Sequence, residues 1–477
     1  MKLLFASSEY APLIKTGGLA DVAAALPAAL LSLGLDVRVI LPAYRGLVDR
    51  LEQRRRLGEL DVRGQRFTLL EGRLPDSRLK LWLLDCPVLF DRPGDPYHDE
   101  HREPWGDNAW RFGCYCEAVA RIAGGEAAGW RADVVHANDW QSGLVPAWLS
   151  RLPKPPRSVF TIHNLAFQGQ YGGDQFLYLG LPGEWWHPER LEYYGGFSFL
   201  KGGVVFCDAL TTVSPTYALE IQTPSFGHGM DGLLRACAGK LSGILNGIDT
   251  EVWNPSSDPL IARRYSLASV TQGKRANKQA LQAELALETD ESLVLIGMIS
   301  RFAHQKGTDL PLAALAELLK QPVQFAVLGS GDRSEERGWR TAAVRHPGRV
   351  AVRVAYDEGL AHRIEAGADL FLMPSRYEPC GLNQMYSQRY GTLPLVHRVG
   401  GLADTVVDAT PATLADGSAS GVCFNNADTG GVLYGVRRGV ELLAEPRKRL
   451  AMRRAAMARD FSWTRAAQDY LALYQGL

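Results

Sequence analysis

The chain has 477 residues, 46% of them apolar, and 52 Lys plus Arg against 52 Asp plus Glu. At about 150 residues per domain, this length predicts two or three domains, and the neutral balance excludes a global field that would draw the chain to nucleic acid or an anionic membrane. Any anionic ligand has to be held by local charges, and with no run of about 18 apolar residues the sequence contains no membrane-spanning helix.

The N-terminal KLLFASS is a short apolar run that reads as a first strand; it is too short for a signal peptide and leads straight into Ser7-Ser8-Glu9. Lys15-Thr16-Gly17-Gly18 follows, then an Ala/Leu-rich helix over Ala23 to Leu33 and a buried strand, DVRVILP. Glycines let backbone approach a ligand closely, and a helix N-terminus offers unpaired N–H groups and a positive dipole end. With Lys15 this is a phosphate-binding arrangement, although neither a Walker A nor a G-x-G-x-x-G pattern is present. A plain helix start with a packing glycine explains the same residues equally well.

Tyr97-His98-Asp99-Glu100-His101 is a polar cluster read as a loop, with a metal site as the weaker reading. ADVVHANDW, RSVFTIHN and DALTTVS continue the alternation of strands and helices that marks a parallel sheet. Ligands in such sheets sit at the carboxyl ends of strands, which places His136, Asp139, His163, Asn164 and Ser214 at a site. GILNGIDTEVWNP is rich in Gly, Asn and Pro and suits a hinge.

The pattern then restarts. LVLIGMIS leads into Arg301-Phe302-Ala303-His304-Gln305-Lys306-Gly307, where an Arg fork and a Lys point charge five residues apart suit a diphosphate. Two solvated surface cations are the bland alternative. VQFAVLGSGD carries a lone GxG, weak evidence for a nicotinamide cofactor. DLFLMPSRYEPCGL places Glu378 in a loop after a strand, where a carboxylate can hold sugar hydroxyls or sit near a helix start. Cys380 reads as a small buried residue. The strand PLVHRV runs into a second GGLAD at Gly400 to Asp404, repeating Gly17 to Asp21, so two glycine pairs are each expected to open a helix. SWTRAAQDYLALYQGL closes the chain as a helix, and its periodicity fits both a capping helix and one that crosses back to the first domain. The seven Cys are scattered without a CxxC, which points to a reduced, cytoplasmic protein without zinc-type spacing.

KTGGLADV, TIHN, TVSPTYA, GILNGID, RFAHQKG, VLGSGD, EPCGLNQ, GGLADTV and the closing FSWTRAAQDY occur in the order seen in bacterial and plant glycogen/starch synthases, glycosyltransferase family five, and the chain resembles that family over essentially its whole length. With no plastid-type extension before Met1, it looks like a bacterial member. The resemblance implies an α/β, GT-B fold: two Rossmann-like domains, 1–248 on the acceptor side and 249–460 for the nucleotide sugar, facing a cleft, with 461–477 as the closing helix. It implies transfer of glucose from ADP-glucose to the non-reducing end of an α-1,4-glucan with retained configuration.

By position, the resemblance implies that Lys15 and Gly18 contact the diphosphate, that Arg301 and Lys306 neutralise departing ADP, and that Tyr356 lies by the adenine. Asp21, His163, Asn246 and Glu378 would surround the glucose, Cys380, Gly381 and Leu382 would present backbone N–H groups to glucose and diphosphate, and Asp139 would lie on the acceptor side. The chain departs from the family at Asn138, often His, and at Asn383, often Thr or Ser; Tyr386 stands where related retaining transferases carry a second Glu. With this cationic set at the leaving group, the chemistry does not require a metal or other cofactor. UDP-glucose as donor and a nicotinamide-dependent oxidoreductase are the rival readings, the second on fold analogy alone.

Overall fold

A computed structural model describes residues 1–477. The chain forms two compact units: Met1–Val213, Ala218–Gly247 and Trp463–Leu477 make the first, and Ser214–Tyr217 with Ile248–Ser462 the second.

Unit 1 is built on a nine-stranded sheet. Its strands are β1 (Lys2–Ala6), β2 (Asp36–Pro42), β3 (Glu52–Val62), β4 (Gln65–Arg73), β5 (Lys80–Asp85), β6 (Val134–Asn138) and β7 (Arg157–Ile162). After a small three-stranded sheet of β8 (Gln170–Tyr171), β9 (Glu192–Tyr193) and β10 (Gly196–Ser198) come β11 (Ala209–Thr212) and β12 (Leu241–Gly243). The order is β12-β11-β7-β6-β1-β2-β5-β4-β3. The strands from β12 to β5 pair in parallel and are covered on both faces, which is why their sequences are nearly continuous apolar runs. β4 and β3 add an antiparallel hairpin at one edge. The C-terminal helix Trp463–Gln475 packs on the Gly18–Ser32 helix of this unit, and Tyr470 and Tyr474 are buried there.

Unit 2 has six parallel strands in the order β15-β14-β13-β16-β17-β18. These are β13 (Val294–Ile299), β14 (Val323–Leu328), β15 (Val350–Arg353), β16 (Leu370–Met373), β17 (Leu393–His397) and β18 (Val422–Phe424). One core gathers Ile296, Phe325, Trp339, Leu372, Leu395 and Phe424.

In each sheet the strand order reverses beside the first strand: between β1 and β6 in unit 1, and between β13 and β16 in unit 2. Loops leaving the carboxyl ends of two such strands diverge to opposite faces and open a crevice. Ser7–Gly17 and Asp139 leave the first pair; Ser300–Lys306 and Pro374–Leu382 leave the second.

Candidate functional site

In unit 1 the loop after β1 is held by a residue that sequence reasoning missed. Glu9 is buried, and its carboxylate accepts hydrogen bonds from the Thr16 N–H (2.6 Å), the Gly17 N–H (3.1 Å), the Thr16 hydroxyl (2.5 Å) and the Tyr97 hydroxyl (2.7 Å). The first two N–H groups of the glycine loop therefore serve an internal anion, a correction to reading the whole loop as a phosphate cradle. Gly18 opens the helix beyond them, and a Cβ built on Gly17 or Gly18 meets nothing within 4 Å. Packing thus does not account for either glycine, and the space before the helix start is open. Lys15 is exposed and paired with Asp21 at 2.7 Å, so these two expected site residues meet on one surface.

The end of β6 and the end of β7 form a second cluster. Asp139 adopts φ +56°, and its Oδ1 accepts the N–H groups of His163 (2.8 Å) and Asn164 (3.4 Å). Burial pushes the Asp139 carboxyl up to about 7, and those two N–H bonds offset part of the rise. His163 Nε2 lies 2.9 Å from Asn138 Oδ1, and burial lowers its imidazole to about 3, so it is neutral at physiological pH. Asn246 is buried, with no hydrogen-bond donor at its Oδ1. His136 is not at the site. It lies within β6, fully buried, bonded to the Tyr474 hydroxyl (2.7 Å) and the Thr161 hydroxyl (2.6 Å), because its register turns it toward the C-terminal helix. Ser214 follows β11, but its hydroxyl is spent on the Tyr217 N–H. Residues 97–101 form a loop, and no three His, Cys, Asp or Glu side chains are grouped to hold a metal.

In unit 2 the loops after β13 and β16 are zipped together. Gly307 takes φ +63°, and its Cα lies so close to the Pro374 carbonyl that a Cβ would come within 2.2 Å of the oxygen. The Arg376 N–H bonds the Gln305 carbonyl at 2.8 Å, and the Arg376 guanidinium bonds the His304 carbonyl and Asp309. This contact delivers Lys306 Nζ to both oxygens of Glu378, at 2.9 and 2.7 Å. Glu378 is only 4% exposed and takes a further bond from the Ser375 hydroxyl at 3.0 Å. Arg301 stands exposed at the end of β13. Burial and the Glu378 charge raise the Tyr377 hydroxyl, and the Arg301 charge opposes them.

Beyond Glu378 the chain turns through Gly381, at φ +73°, into the Asn383–Arg389 helix. Gln384 donates to the Cys380 and Gly381 carbonyls, both at 3.0 Å, and Asn383 donates to the Ile299 carbonyl at 2.8 Å. The second GGLAD packs against this turn. Gly401 donates its N–H to the Glu378 carbonyl at 3.0 Å, and its added Cβ would lie 2.0 Å from the Cys380 oxygen. Asp404 binds the Thr216 N–H and hydroxyl. The two GGLAD copies therefore do different work: the first leaves space, the second fills it. Tyr356 is 81% exposed, its hydroxyl 3.5 Å from Glu358, and stands apart from these contacts.

GSGD proves structural. Cβ atoms on Gly329 and Gly331 would collide with the carbonyls of Ser300 and Phe302, and Asp332 caps a helix through the Ser334 and Glu335 N–H groups. This removes the only local feature that favoured a nicotinamide cofactor.

Residues 2–236 match the family model for the starch synthase catalytic domain, and residues 278–422 that for glycosyl transferases group 1. Glycogen synthase 1 of Methylococcus capsulatus is 50% identical over 476 residues, covering 100% of this chain and 96% of that protein. The glycogen synthase of Thioalkalivibrio sulfidiphilus is 49% identical over 482 residues, covering 100% of both. Among solved structures, the catalytic domain of starch synthase IV from Arabidopsis thaliana, bound to ADP and acarbose, superposes with a TM-score of 0.88 at 32% identity, covering 100% of this chain and 98% of that one.

Proposed function

The chain belongs to the glycogen and starch synthase family of glycosyltransferases, and from that premise we propose that it transfers glucose from ADP-glucose to the non-reducing end of an α-1,4-glucan with retained configuration. Its two parallel-sheet units are those of the GT-B fold. The observation that carries the site assignment is the Lys306–Glu378 pair beside Arg301 at the strand-order reversal of unit 2.

Glucosyl transfer builds positive charge on the sugar ring and negative charge on the departing diphosphate, so the catalyst has to meet both where they develop. Arg301 binds the leaving phosphates through its fork, and Lys306 adds a point charge whose position Glu378 fixes. Lys15, held by Asp21, adds a third cation. Backbone N–H groups of the Cys380–Leu382 turn face the glucose and diphosphate, and Gly18 leaves room for backbone approach. Tyr356 is assigned to the adenine. Neutral His163, whose Nε2–H is donated to Asn138 Oδ1, accepts a glucose hydroxyl at Nδ1, Asn246 offers its buried amide to the same sugar, and Asp139 serves the acceptor.

Retention without a placed nucleophile on the far face of the ring favours same-face attack, in which the acceptor O–H passes its proton to the leaving phosphate oxygen as the C1–O bond to phosphate breaks. Purified protein given labelled ADP-glucose or UDP-glucose with glycogen, with and without a chelator, tests the reading. Incorporation from ADP-glucose at the higher rate, unchanged by chelator, supports it; a higher rate from UDP-glucose reassigns the donor, and a covalent glucosyl adduct on a side chain overturns the same-face step.

A further inference from the structure

The segment that begins unit 2 places one indole between two other rings. Trp253 stacks on His362 with centroids 3.8 Å apart and planes 12° apart, and on Tyr386 at 3.9 Å and 11°. Tyr390 meets the same indole edge-on at 6.2 Å. The turn that presents Trp253 is set by Asp249, whose carboxylate accepts the Glu251 and Val252 N–H groups. Glu251 and Val252 themselves are exposed, so the ring is the anchor of this stretch. A second anchor follows at Asp258, buried, which receives the Tyr390 hydroxyl at 2.5 Å and lies 2.7 Å from His362 Nδ1.

Tyr386 links this stack to the site. It sits one turn into the Asn383–Arg389 helix, its N–H bonded to the Leu382 carbonyl at 3.0 Å. That helix is only seven residues long, and its first turn carries the side chains that hold the Cys380–Leu382 backbone and the end of β13. So short an element has little setting of its own, and its orientation follows from what it packs against. A flat stack resists both sliding and tilting of the ring it holds.

We infer that Trp253 is a positioning residue for the donor half of the site: sandwiched between His362 and Tyr386, it fixes the Asn383–Arg389 helix and, through it, the Cys380–Leu382 turn and Glu378. This rests on the assignment of that turn to the nucleotide sugar. The segment that leads the chain into unit 2 and the turn that meets the diphosphate are then one mechanical piece, joined by aromatic faces.

The test compares Trp253→Leu, Trp253→Phe and Tyr386→Leu with Tyr265→Phe. The last removes a hydrogen bond to the Tyr390 carbonyl in the same cluster without touching the stack. ADP affinity is read by calorimetry, and KM separately for ADP-glucose and glycogen. Trp253→Leu is expected to weaken ADP binding and raise the ADP-glucose KM about tenfold, with glycogen KM and binding stoichiometry unchanged; Trp253→Phe restores most of the loss, and Tyr265→Phe leaves both affinities as they are. A merely structural role lowers the active fraction but not the affinity of the molecules that remain folded. Donor affinities of Trp253→Leu within twofold of the parent overturn the inference, as does an equal shift in glycogen KM. If Trp253→Leu does not fold, Tyr386→Leu carries the same expectation and the same refutation. Absence of glucosyl transfer by the unaltered protein defeats the proposed function instead, and ADP calorimetry on the variants still decides the role of Trp253.

Discussion

Replacing Lys306 by Met leaves the Glu378 carboxylate in place but takes away the donor to both of its oxygens. What remains is the Ser375 hydroxyl at 3.0 Å, on a carboxylate whose residue is 4% exposed. Removing one partner of a buried ion pair costs about 3–5 kcal/mol, because the other charge stays desolvated. The Lys306 side chain is 21% exposed, so water reaches part of the pair and the lower end, about 3 kcal/mol, applies. The reverse change, Glu378→Gln, strands a lysine that can turn toward solvent and should cost about 1–2 kcal/mol. The double variant loses the pair without stranding either charge, so its cost falls short of the sum by about 2 kcal/mol. Urea unfolding followed by far-ultraviolet circular dichroism measures all three. Turnover with labelled ADP-glucose should fall by at least about a hundredfold in each single variant. Additivity within about 0.5 kcal/mol, or equal losses for the two single changes, would refute the reasoning.

Arg301→Ala should also cost about a hundredfold or more in turnover while leaving the urea midpoint unchanged, since the side chain is exposed; near-normal turnover removes Arg301 from the leaving-group role. Asp139, raised to about 7, should give the pH–rate profile a limb near that value which vanishes in Asp139→Asn. Its folded pKa lies above its unfolded one, so the folded state binds the proton first and stability declines as pH rises from about 4 toward 7; Asp139→Asn should flatten that decline, and an unchanged slope counts against it. Gly401→Ala drives a methyl into the Cys380 carbonyl, and the turn after Glu378 has to move; the ADP-glucose KM should rise, whereas Gly17→Ala, facing open space, should leave the fold and its stability intact.

The parallel strands were legible because burial on both faces demands continuous apolar runs such as DVRVILP and VQFAVL, and polar groups directly after such runs stood out as site candidates because strand ends are where ligands sit in such sheets. The hairpin of β3 and β4 was not: EQRRRLGELDV is charged along most of its exposed length, with no alternation to mark a strand. Glu9 escaped because its partners lie seven to eight residues away in the loop and 88 away at Tyr97, a keystone that only folding assembles. His136 misled for the opposite reason: a polar residue near a strand end looks like a site residue until the register places it inside, against a helix more than 300 positions later. Repetition was a guide to local structure only: both GGLAD copies open a helix, as expected, but the glycines face open space in one place and tight packing in the other.

The helix Trp463–Gln475 carries a lesson about synthesis. The first unit's sheet is translated early, yet the tyrosine that satisfies His136 leaves the ribosome almost last, after the 215 residues from Ile248 to Ser462. At about 5–20 residues per second, that is a wait of about 10–40 s. During that interval the Gly18–Ser32 helix has an uncovered apolar flank, so the nascent N-terminal half should be a chaperone client, and a message broken shortly before its stop codon should yield a polypeptide that aggregates through its oldest part rather than its newest.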